Sequence, residues 1–192
     1  MPPLNHAVLS ASSAYRWLEC PPSALATADI PDETTIYAQE GSAAHEMAEY
    51  KIRWHLGAKD LAPPNVGNFN AEEIDRYTDS YAYYATDKIE TIRKICPDAI
   101  VMVEQRLDFS NYVKDGFGTG DLVIVADDVL QVIDFKYGKG VTVSAELNPQ
   151  MMLYALGALN LYGYLYDIKT VKTAIVQPRL DNISEWEISV DE

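Results

Sequence analysis

Along the first half of the chain apolar residues recur at helical steps, and along the second half they gather in short β-branched runs. In SASSAYRWLECPP, Ala14, Trp17 and Leu18 stand at helical spacing behind Ser10 or Ser12 as a cap, and Pro21 and Pro22 stop the segment. A short helix is predicted there. From Glu40 to His55 the series Ala44, Met47, Ala48, Ile52 and Leu56 predicts a second helix closed by Gly57, with His45 at the edge of its apolar stripe. After the loop APPNVGN, Asn70 with Glu73 can cap a long helix whose stripe runs Ile74, Tyr77, Tyr81, Tyr84, Ile89 and Ile92. The spacing of these tyrosines accounts for them as packing.

The run AIVMVEQRLDF alternates as a strand does, and further strands are predicted near 119–126 and 129–136. Asp127 and Asp128 between them suit a tight turn, so the pair reads as an antiparallel hairpin. In NPQMMLYALGALNLYG, Asn148 is a cap, Pro149 takes the first helical position and Gly163 is the stop. This helix is apolar nearly all round and is expected to be buried. VKTAIVQPRL and EWEISV supply late strands. The order of helices, strands, helix and strands predicts an α/β fold, a central mixed sheet flanked by helices, with residues 1–192 as a single domain.

Charge changes the picture at the third predicted strand. The period of a strand puts Leu130, Val132, Asp134 and Lys136 on one face and Ile133, Phe135 and Tyr137 on the other. Asp134 and Lys136, about 6 to 7 Å apart at that spacing, can reach one ligand, and Asp121 on the neighbouring strand can converge with them. Charges within apolar runs need solvent or a partner. Carboxylates with a backbone carbonyl, here that of Phe135, suit a hard cation such as Mg²⁺, and a lysine beside it fits phosphodiester hydrolysis.

The net charge of −14 excludes a general electrostatic grip on nucleic acid, so any such site is local, with Lys and Arg expected at the Asp134 mouth. Cys20 and Cys96 match no zinc spacing and point to a reduced, cytoplasmic setting. No export signal and no apolar run of membrane-spanning length is evident. HEMAE lacks the second histidine of a zincin, GTG precedes a strand where a dinucleotide loop would follow one, and YGKG lacks the spacing of a P-loop.

The motifs LSASSAYRWLECP, EGSAAHE, GTGDLVIV, VIDFKYG and QMMLY, in that order, resemble those of the PD-(D/E)XK nuclease superfamily, in its RecB-like and lambda-exonuclease-like branch. The resemblance implies a restriction-endonuclease-like core. It implies that Asp121 and Asp134 hold Mg²⁺ or Mn²⁺ with His45 as a further ligand or neighbour, and that Lys136 positions the attacking water. Gln150 and Tyr154, which by spacing alone could equally pack, would orient active-site groups or the DNA strand. Glu104 would be a further acidic neighbour.

Some relatives bind an iron–sulfur cluster through late cysteines, but no cysteine follows Cys96, so no such cluster is expected. Relatives continue beyond the last strand, which makes the N-terminal part of a longer protein an alternative to a whole one. The expected activity is a metal-dependent DNA exonuclease in phage recombination, replication or repair. Its expected partners are DNA and a single-strand annealing protein, with an oligomer open. A catalytically inactive DNA-binding or assembly module on the same fold is the alternative, and a nucleotide-binding regulator a weaker one.

Overall fold

A computed structural model describes residues 7–26 and 35–191; the opening stretch 1–6, read above for an export signal, lies outside them. A 3₁₀ turn at Ala11–Ser13 leads into α1 (Ala14–Glu19), where Trp17 Nε1 donates to the Ser10 carbonyl at 2.9 Å. Beyond the double proline a further short helix, α2 (Ser23–Ala26), forms that the apolar spacing did not foretell. α3 spans Ile36–His55 and so begins a turn before Glu40. Thr35 Oγ1 accepts from the Ala38 N–H at 3.1 Å, and this cap, ahead of the apolar stripe, sets the start.

α4 (Ala71–Ile95) is capped by Asn70, whose Oδ1 accepts from the Glu73 N–H at 3.1 Å. Its buried line is Ile74, Thr78, Tyr81, Ala85 and Ile89. Tyr77, Tyr84 and Ile92 of the expected stripe flank that line half-buried, because Thr78 and Ala85 are small enough to meet the sheet directly.

The strands are β1 (Ile100–Asp108), β2 (Phe117–Ala126), β3 (Val129–Phe135), β4 (Thr170–Gln177) and β5 (Asn182–Ser189), in spatial order β1-β2-β3-β4-β5. α5 (Pro149–Tyr162) crosses between β3 and β4, which pair parallel, while the other neighbours pair antiparallel. β4 ends at Gln177 because Pro178 offers no N–H to a ladder, and a 3₁₀ turn follows.

The expected central mixed sheet flanked by helices is therefore present, in an arrangement consistent with a restriction-endonuclease-like core. Leu122, Ile124, Ile133 and Phe135 bury one sheet face against α3 and α4. Val123, Val125, Leu130 and Val132 bury the other against α1 and α5. α5 exposes Met152 and Asn160 and is otherwise buried or half-buried up to Tyr162. No helix of the described residues is long and apolar enough to cross a membrane.

Candidate active site

At its turn the β2–β3 hairpin is fully paired, down to Leu122 opposite Ile133. Beyond that pair the strands part. β3 stays on β4, where the Lys136 N–H donates to the Val176 carbonyl at 2.9 Å. The Phe135 N–H, which the ladder would hand to β2, donates instead to Asp121 Oδ2 at 2.6 Å. A carboxylate thus fills the place of a backbone carbonyl, and a buried donor remains satisfied as the sheet opens.

β1 breaks at the same level. Val103 pairs with Leu122 and Gln105 with Gly120, but Glu104, which the register sets opposite Asp121, is left out of the ladder at φ 53°. A left-handed glutamate inside a strand is costly, and such costs gather at functional sites. Arg53 of α3 donates from Nη2 to the Val103 carbonyl at 3.0 Å and holds the backbone beside the break.

Into this opening α3 brings His45, whose Nδ1 lies 3.1 Å from Asp121 Oδ1 and whose ring is 5.1 Å from that of Phe135. His45, Glu104 and Asp121 each offer a ligand atom, all within 4.8 Å of one another. Asp134 is turned to the α5 side, as the strand period required. Its Oδ1 accepts from Gln150 Nε2 at 3.0 Å, and its Oδ2 lies 3.0 Å from Lys136 Nζ. Lys136 Nζ donates to Gln150 Oε1 at 2.8 Å, and Gln150 Nε2 reaches the Tyr154 hydroxyl at 3.2 Å.

α5 can carry Gln150 and Tyr154 to this point because Asn148 caps it, accepting from the Gln150 N–H at 3.0 Å. Gly118 lets it approach: a Cβ there would stand 2.7 Å from Tyr154 Cε1. All the expected side chains, His45, Asp121, Asp134, Lys136, Gln150 and Tyr154, together with Glu104, line one cleft of about 690 Å³. Phe135, expected to offer its backbone carbonyl to a metal, contributes two further groups here. Its N–H binds Asp121, and its ring is buried against Tyr81 at 4.6 Å between centroids.

Electrostatics divide the carboxylates. Burial works to lower the His45 pKa, but the charge and hydrogen bond of Asp121, with Asp134 and Glu104 behind them, carry it up to about 9. Burial likewise opposes ionisation of Asp121, and there the charge and hydrogen bond of His45, with the Phe135 N–H and Lys136, prevail and hold it low. Glu104 is pushed up to about 7 by burial and then by the charge of Asp121. For Asp134 burial comes first and raises it; Lys136 pulls the other way and Asp121 adds to burial. Burial works to lower the Lys136 pKa, but the charge and hydrogen bond of Asp134, with the charge of Asp121, together raise it.

The donor set fits a divalent cation that takes nitrogen as well as oxygen ligands. Imidazole and carboxylates converge, and Asp134 Oδ2, fully buried, has no hydrogen bond in spite of its contact with Lys136. His45, Glu104 and Asp121 would hold the ion, with Asp134 at its edge. Binding would displace the proton that His45 retains.

The expected gathering of Lys and Arg at the mouth is not found. Among the described lining residues Lys136 is the one lysine, no arginine is present, and Glu46 adds to the carboxylates. The basic residues are spent elsewhere: Arg53 on Glu49, Arg179 on Glu40 and Glu73, and Lys139 on Glu73. The resemblance implied Glu104 as a further acidic neighbour and took in Gly118 only as part of the motif GTGDLVIV, with no packing role. The β1–β2 register would have set Glu104 opposite Asp121, but the loop between those strands is too long to fix that register in advance.

Among solved structures, the chain is similar to the protein described as "Crystal structure of SSO0001", at 17% identity over 92% of this chain and 77% of that one. The TM-score is 0.27, a likeness on which nothing further rests. The family model described as "Protein of unknown function (DUF2800)" matches residues 6–192, and the chain belongs to that family.

Proposed function

We propose that the chain is a Mg²⁺- or Mn²⁺-dependent deoxyribonuclease of the PD-(D/E)XK type, acting in the cytoplasm as an exonuclease on DNA in phage recombination. The observation that carries this reading is the meeting of His45, Glu104, Asp121, Asp134, Lys136, Gln150 and Tyr154 in one cleft, from helices and strands far apart in the chain. A single-strand annealing protein is the partner that fits such a role.

A bound divalent ion would supply an activated water and neutralise charge on the phosphoryl oxygens. Lys136 would hold a positive charge beside the attacking water and the anionic transition state. Its hydrogen bond to Gln150, and that of Gln150 to Asp134, fix the direction in which the ammonium group points. The Tyr154 hydroxyl, accepting from Gln150 Nε2, limits rotation of that amide. His45 would exchange its contact with Asp121 for the ion.

The lining also bears on the alternative. A cleft whose described residues include four carboxylates, Glu46, Glu104, Asp121 and Asp134, against Lys136 and His45 repels a phosphate backbone unless a cation intervenes. This disfavours a DNA-binding module that works without metal. The test is incubation of the purified chain with end-labelled linear and circular DNA, with Mg²⁺ or with excess chelator. Loss of linear substrate from its ends in Mg²⁺ alone is expected. Equal cleavage in chelator, or none in either condition, rejects the proposal.

A further inference from the structure

Tyr81 of α4 is 1% exposed, and its hydroxyl has no hydrogen-bond partner among the described residues. It lines a small recess together with His45, Glu104, Asp121 and Phe135. The apolar stripe of α4 explains an aromatic ring at this position and leaves the oxygen unexplained. Phenylalanine would stack on Phe135 equally well without burying an unpaired hydroxyl. One turn earlier on the same face the buried hydroxyl of Thr78 is satisfied, donating to the Ile74 carbonyl at 2.7 Å.

Both oxygens of Asp121 are engaged, Oδ1 with His45 and Oδ2 with the Phe135 N–H. A divalent ion held by His45 and Asp121 would engage both side chains and end the hydrogen bond between Nδ1 and Oδ1, now 3.1 Å long. Asp121 then lacks one of the donors that orient it. We propose that Tyr81 is a positioning residue of the metal centre, its hydroxyl supplying the donor that holds the Asp121 carboxylate in place once His45 has turned to the ion.

The inference rests on the reading of the cleft as a metal site. Burial, followed by the negative charges of Asp121, Asp134 and Glu104, holds the phenol protonated, so at a carboxylate it can only donate. Outer partners of this kind orient ligands and tune affinity in metal sites generally.

Calorimetric titration of Mn²⁺ into the full chain and into Tyr81→Phe, with thermal unfolding of both in excess chelator, tests it. Expected is a loss of Mn²⁺ affinity in Tyr81→Phe of about 10- to 100-fold, with a Tm in chelator equal to or above that of the parent. If the parent and Tyr81→Phe bind Mn²⁺ alike while Asp121→Asn does not bind, this inference alone is overturned. If the parent binds no Mn²⁺, the inference falls together with the metal reading beneath it. A Tm in chelator lower than the parent's also overturns it, since the oxygen would then be holding the fold by itself.

Discussion

Near its turn, from Leu122 round to Ile133, the β2–β3 hairpin pairs residue for residue and buries apolar side chains on both faces. At its far end the same strands part, a carboxylate stands in for a carbonyl, and polar and charged groups converge from α3, β1 and α5. The paired end has little to do but stay folded. The open end carries costs: a left-handed Glu104, an Asp134 oxygen without a hydrogen bond, and carboxylates facing one another. The difference teaches that the open end draws its order from the closed end, because the apolar register fixes where each charged side chain emerges.

The sharpest separation of the two ends comes from the charges. Asp121→Asn and Lys136→Ala should each lower Mg²⁺-dependent cleavage by on the order of 10⁴. Only Asp121→Asn should weaken Mn²⁺ binding, because Lys136 would repel the cation that Asp121 is proposed to hold. Equal Mn²⁺ affinity in the parent and Asp121→Asn would remove Asp121 from the ligand set. At the closed end Ile133→Ala should cost about 2 to 5 kcal/mol in urea unfolding and leave Mn²⁺ affinity unchanged. A large drop in affinity there would mean that the two regions are not separable.

Gly118→Ala tests the seam between them. Its Cβ would crowd the Tyr154 ring, and cleavage should fall about 10- to 100-fold through misplacement of α5 groups, with Mn²⁺ binding kept. Parental activity would show that Tyr154 has room to yield.

The smallest effect is on pH dependence. Glu104, raised to about 7, and His45, raised to about 9, both keep protons in the folded state that they lose earlier when unfolded. Their contribution is present at low pH and declines as pH rises, for Glu104 between its ordinary value and about 7, and for His45 between 6.5 and about 9. His45 is partly open to solvent, so the fall should be modest, about 2 to 4 °C in Tm. Saturating Mn²⁺ should abolish it. A Tm in chelator that climbs from pH 6.5 to pH 9 would contradict the charge arrangement described.

Much of this was legible in the sequence where a local rule applies. The Asn70 and Asn148 caps, the turn at Asp127 and Asp128, and the common face of Asp134 and Lys136 follow from spacing over a few residues, and all stand in the structure. The motif order likewise picked out the side chains that share the cleft. What spacing could not reach depends on distant elements. The parting of β2 from β3 at Asp121 is visible only once the Phe135 N–H is traced to a side chain. Glu104 gains its place from the register of β1, and Arg179 is taken up by carboxylates on α3 and α4.

The division of the cleft along the chain bears on its biosynthesis. Asp121, Asp134 and Lys136 leave the ribosome before Gln150 and Tyr154, and β3 has no parallel neighbour until β4 has emerged after α5. A prematurely ended product carries the acidic half of the cleft without the amide and phenol that steady it, and with one edge of β3 bare. The groups of α5 therefore join the cleft only after every acidic side chain in it has been made.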